Sequence, residues 1–264
     1  MKKLALLFTL LFLVASGAFA MSVAGTVDEE DNSVAKIEDT TKPGYYDKQL
    51  VLARKYYFNG DLTKAEDICD KIVVAEPENE AAAELQNKIV YLKQKEVVYK
   101  KNLVDTYYVE LRKSVMEGNC YDGVMYLKKI GELEQDDKMN YFTNVLTMEK
   151  ENIVARFNNK KDKNTFLKSL DAFINEDFVK STKLLYKLQE KYPQFSIYLS
   201  ISRAKEFNEE NDNRMKYLHK QTVKCLQKNE FVTAKNYAQL LYMMDYNNIT
   251  AKLLLDQVEL EIED

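Results

Sequence analysis

The residues best suited to chemistry in this 264-residue chain are few and scattered. Its one histidine, His219, stands between Leu218 and Lys220 on a stretch of helical periodicity, with no Cys or His three or four positions away. A zinc site needs several such ligands at short spacing, so His219 is expected to be a surface or packing residue. Cys69, Cys120 and Cys225 fall at apolar positions of the pattern, where a thiol acts as a small hydrophobe. An odd count at such positions argues against a disulfide framework, and free buried thiols are expected. No G-x-S-x-G, no paired Cys and His and no phosphate-binding loop occurs. The polar tract from Asn208 to Asn213 lacks the glycine and alternating spacing of a calcium loop. Exported helical enzymes that cut cell-wall glycan use a single glutamate, but they surround it with a Ser- and Gly-containing motif that none of the glutamates here possesses. A glycan-active enzyme is therefore the least favoured reading. Neither catalysis nor a cofactor is expected.

The elements that would position any site are helices. Hydrophobic residues make up 46% and charged residues 30% of the chain, which suits a folded core rather than a disordered one. Only 7 Gly and 3 Pro are present, too few for the many tight turns of most β architectures. The fold class is read as all-α.

The first twenty residues read as an address. Lys2 and Lys3 precede an apolar run from Leu4 to Ala15, and Ser16 to Ala20 supplies the small residues of a signal-peptidase site. The run is short of the roughly 20 residues that span a bilayer, so cleavage after Ala20 and an exported, periplasmic or otherwise extracytoplasmic location are expected. Residues 21–44 form an acidic leader, with Asp28, Glu29, Glu30, Asp31, Glu38 and Asp39 and no aromatic residue. Such a segment cannot bury enough apolar area to offset its ordering entropy, and flexibility is expected. Lysine outnumbers arginine 33 to 5 in a chain of net charge -4, and the lysines are interleaved with acids. That pattern argues against a nucleic-acid partner, and Lys160-Lys161-Asp162-Lys163 is read as a hydrated connection.

The repeat lies in residues 45–264. Ala53 and Tyr56 share one helix face, Asn59-Gly60-Asp61 makes a turn in which Gly60 takes the left-handed cap, and Ala65, Cys69 and Ile72 form the facing stripe of a second helix ended by Pro77. Small residues at Ala53 and Ala65 let the two helices approach closely. This spacing resembles the tetratricopeptide repeat, a 34-residue helical hairpin. Weaker copies run through Ser114, Gly118, Gly123 and Ile130, through Ala172, Glu176, Ser181 and Leu188, and through Cys225, Asn229, Ala234 and Leu241, with Asn229 a left-handed substitute for glycine. The units fall near residues 46–79, 104–137, 162–195 and 215–248. The resemblance implies an α-solenoid of stacked hairpins.

The copies depart from the family in period. Ala65, Gly123, Ser181 and Ala234 are 58, 58 and 53 residues apart, so a spacer follows each unit. A spacer without Gly or Pro reads either as one long helix entering the next unit or as two helices with an unmarked turn. Long helices alternating with short ones are favoured.

In proteins of this kind the first helix of each hairpin lines a concave surface. A 58-residue shift carries Asp47 onto Asp105, Leu50 onto Tyr108 and Arg54 onto Arg112, which nominates these six residues as a groove where arginines grip carboxylates and tyrosine adds contact area. The bland alternative is exposed ion pairing within inherited repeats. The resulting expectation is an exported interaction scaffold for a protein or peptide partner, without a membrane span after cleavage and with self-association possible. A structural subunit of an envelope or motility assembly is the alternative.

Overall fold

The computed structural model describes residues 44–206 and 209–263; residues 1–20, read above as a signal peptide, and the acidic leader up to residue 43 lie outside them. Eleven α-helices and one 3-10 turn appear among the described residues, with no strand. They are α1 (Tyr45–Phe58), α2 (Leu62–Ala75), α3 (Glu80–Met116), α4 (Cys120–Leu133), α5 (Lys138–Ala155), α6 (Lys160–Ile174), α7 (Phe178–Gln189), α8 (Ser196–Glu206), α9 (Glu209–Gln227), α10 (Phe231–Met244) and α11 (Ile249–Glu263). The chain is an all-α stack of hairpins: α1 with α2, the end of α3 with α4, α6 with α7, and α9 with α10.

All four hairpins turn in the same way. Gly60 (φ 80°), Gly118 (φ 68°), Glu176 (φ 61°) and Asn229 (φ 59°) hold the left-handed position. At each, the next residue's N–H donates to a carbonyl five residues back: Asp61 to Tyr56, Asn119 to Ser114, Asp177 to Ala172 and Glu230 to Cys225, at 2.8–3.0 Å. This is the Schellman cap, and it satisfies carbonyls that the helix end would otherwise leave open. Asp61, Asn119 and Asp177 then cap the following helix by accepting the N–H three residues on.

Behind each turn the small residues Ala65, Ser181 and Ala234 are wholly buried. Gly123 is buried as well, and a β-carbon added there would lie 2.7 Å from Cδ2 of Leu146 on α5, so any side chain there requires Leu146 to shift. The close packing expected at these positions is present.

A third helix covers each hairpin. The N-terminal part of α3 packs on α2, α5 on α4, α8 on α7 and α11 on α10. The spacers use both of the forms weighed from the sequence. The first is a single helix, α3, of 37 residues and about 55 Å, capped by Asn79 and belonging to two units at once. The second breaks at Arg156–Asn159, where the Asn159 side chain accepts the Asp162 N–H and starts α6. The reading of Lys160–Lys163 as a connection is therefore corrected. These residues form the first turn of α6, and Asp162 is 4% exposed, bonded to Asn159, Tyr192 and Lys191.

The first and last units also meet. Equivalent buried positions of the two are 169 residues apart throughout: Tyr57 and Leu226, Ala65 and Ala234, Ala82 and Ala251, Leu85 and Leu254, Ile89 and Val258. The helices that touch are equivalent too, α1 with α9 and α3 with α11. Phe58 packs into the cores of both units, and Leu260 enters the first. Across this seam Gln257 Nε2 donates to the Tyr57 carbonyl at 2.6 Å, Tyr99 Oη to Asp256 at 2.6 Å, and Lys88 pairs with Glu261 at 3.2 Å.

Candidate partner-binding surface

The face nominated from the sequence divides between surface and core. Asp47, Arg54, Asp105 and Arg112 are exposed, whereas Leu50 is half-buried against the first core and Tyr108 is only 7% exposed. Tyr108 packs on Phe142 with ring centroids 6.0 Å apart, and Lys138 Nζ lies 5.7 Å from its ring centre. Its hydroxyl is buried without a hydrogen-bond partner among the described residues. The assignment of Tyr108 as a contact residue is corrected: it belongs to the core of the second unit.

The exposed apolar residue lies one position further along. Val51 is 69% and Val109 60% exposed, and they are themselves 58 residues apart. Each helix thus presents Asp, Val and Arg at i, i+4 and i+7, an outward stripe of Asp47, Val51 and Arg54 on α1 and of Asp105, Val109 and Arg112 on α3. Arg54 and Arg112 form no ion pair within 4 Å among the described residues, so pairing with another described residue does not account for them. The structure does not gather the six nominated residues into one groove. The first stripe sits on the core containing Ile89 and the second on the core containing Leu111, and these two α3 residues are about 33 Å apart along the helix.

Sequence reasoning missed the valines because 3.6-residue periodicity defines a face only to within a residue. The signal available was Val51 recurring as Val109 beside a half-apolar neighbour.

Burial dominates the shifts of most titratable groups elsewhere. All three cysteines are buried and free. Burial pushes the Cys69 thiol up to about 11 and that of Cys120 up to about 12, far from the thiolate a nucleophile requires. His219 is half-buried, and desolvation holds it below its ordinary value. Burial raises Glu149, beside the Gly118 turn, and Asp256, in the seam. Asp162 goes the other way, lowered by the Asn159 amide with help from Lys191 and Tyr192. Among the described residues no cluster of three or more His, Cys, Asp or Glu side chains is placed to hold a metal ion, and no helix is long and apolar enough to cross a membrane.

No family model, curated protein or solved structure matches the chain. Its function has to be argued from the surface itself, where the stripe displayed twice on equivalent helices is the feature that internal packing leaves unexplained.

Proposed function

We propose that this chain is a non-catalytic interaction scaffold of tetratricopeptide type, exported across a bacterial inner membrane and engaging a protein partner in the envelope. The observation that carries the reading is the repeated Asp, Val and Arg stripe. Two hairpins that differ at many other surface positions hold the same exposed triplet in the same register, with guanidinium groups unpaired within 4 Å among the described residues. An exposed valine between a carboxylate and a guanidinium offers apolar contact area flanked by groups that fix orientation, the composition of a small interface. The 58-residue phase, the left-handed turns and the buried small residues support the repeat assignment, and residues 1–20 support export.

The test is capture from envelope extract by the immobilised mature chain, compared with a double variant, Arg54→Glu with Arg112→Glu. A partner retained by the wild type and lost by the variant supports the proposal. Identical captured proteins refute the stripe as the surface. Light scattering after size exclusion examines the alternative, because a stable high-order homo-oligomer would make the chain a structural subunit instead.

A further inference from the structure

Four lysines of α6 and α7 come together on one surface. An open cleft of about 620 Å³ between these two helices is lined by Lys160, Lys161 and Lys168 from α6 and Lys187 from α7. Among the described residues none of the four forms an ion pair within 4 Å, and Asp171, one turn beyond Lys168, forms none either. Some other lysines are matched to acids, as in Lys64 with Asp61, Lys93 with Glu66 and Lys100 with Glu96, while others, such as Lys71 and Lys101, form no ion pair among the described residues. The one carboxylate within the lysine run, Asp162, is turned inward to Asn159 and Tyr192 and offers the cleft little counter-charge.

From this arrangement we infer that the α6–α7 cleft is a docking site for an acidic, extended peptide segment of a partner protein. Four like charges lining one cleft, with no carboxylate paired to them within 4 Å among the described residues, raise the free energy of the empty cleft, and an anionic ligand relieves that repulsion. Lys161 and Lys168 are seven residues apart, about 10 Å along α6, so the cations form a row that a compact anion cannot span and an extended chain can. The positive end of the α6 dipole adds to the field at Lys160 and Lys161. The lining also favours a peptide over a phosphate polymer. It contains no guanidinium fork of the kind that grips phosphate bidentately, and it includes Leu184 and the Asn164 amide, which suit side-chain carbon and a peptide backbone. The site is independent of the Asp, Val and Arg stripe, which α6 and α7 do not carry.

Fluorescence anisotropy with a fluorescein-labelled octaglutamate peptide tests this on the full mature chain. Saturable binding that falls as salt rises, with no binding of octaglutamine, is expected. Lys161→Glu with Lys168→Glu should weaken binding about tenfold or more, and Lys187→Glu on the opposite wall should weaken it too, while Lys71→Glu with Lys101→Glu makes the same change in net charge on other helices and should leave binding within about twofold. All five lysines are exposed, so far-ultraviolet circular dichroism should be unchanged. Absence of saturable binding overturns the inference, as does equal weakening by the two double variants. Tighter binding of inorganic polyphosphate or of anionic lipid vesicles than of octaglutamate at this cleft also overturns it, in favour of a phosphate polymer or a membrane.

Discussion

Exchanging the residue at the left-handed turn position should shift stability in opposite directions at two equivalent hairpins. Glu176 holds φ 61°, with its side chain exposed and without a hydrogen bond or ion pair among the described residues, whereas Gly60 holds φ 80° with open space where a β-carbon would be. A side-chain-bearing residue in this conformation costs roughly 1–2 kcal/mol, and glycine gives back about 0.4–1 kcal/mol through the wider freedom of its unfolded chain. Glu176→Gly should therefore stabilise the protein by about 0.5–1 kcal/mol, and Gly60→Ala should destabilise it by a similar amount. At about 2–4 °C per kcal/mol for a domain of this size, calorimetry should record shifts of about 1–4 °C upward and downward. Urea unfolding should move the midpoints in the same sense with unchanged slopes. Destabilisation by Glu176→Gly, or no effect of Gly60→Ala, would mean that the four turns are not equivalent and would refute the shared register.

Ala65 is wholly buried between α1 and α2, so Ala65→Leu should cost about 1–3 kcal/mol by urea denaturation, while Lys160→Ala, at an exposed position, should stay within about 0.5 kcal/mol. Gln257→Ala removes the hydrogen bond across the seam to the Tyr57 carbonyl, which keeps the Gly60 N–H as a donor, and should cost about 0.5–1.5 kcal/mol, with faster hydrogen exchange in α1 and in α11 together. Iodoacetamide should modify Cys69, Cys120 and Cys225 slowly in the folded protein and rapidly in denaturant, because all three are buried and their thiols are raised. Asp256 has a folded pKa above its unfolded one, so it contributes stability below the ordinary carboxylate range that is lost as pH rises through its folded value. Asp162 is lowered, and its contribution is present above that range and lost as pH falls. Urea titrations at a series of pH values should show Asp256→Asn removing the first trend and Asp162→Asn the second.

The local parts of the fold were legible because each rests on a residue with a narrow physical role. Gly60, Gly118 and Asn229 announced left-handed caps, and Ala65, Gly123, Ser181 and Ala234 announced close approach. Glu176 was harder to recognise, since its conformation is set by the hairpin around it rather than by its own preference. The start of α6 was misread because a lysine run reads as solvated whether or not it is helical, and the decisive contact is the Asn159 cap on the Asp162 N–H. On the candidate surface, Asp47, Arg54, Asp105 and Arg112 are exposed, but Leu50 and Tyr108, nominated with them, turn toward the core, and the exposed apolar positions are Val51 and Val109. The seam could not be read at all. It joins residues such as Tyr57 and Gln257, 200 positions apart, through a backbone carbonyl that every amino acid possesses.

The seam changes how this architecture responds to stress. A linear array of repeats has two free termini from which it can fray, and its stability is close to a sum of neighbour terms. Here α1 covers α9 and α11 covers α3, so loosening either end strips cover from the other. Denaturation of residues 45–263 should accordingly proceed as one concerted melt instead of peeling inward from its boundaries.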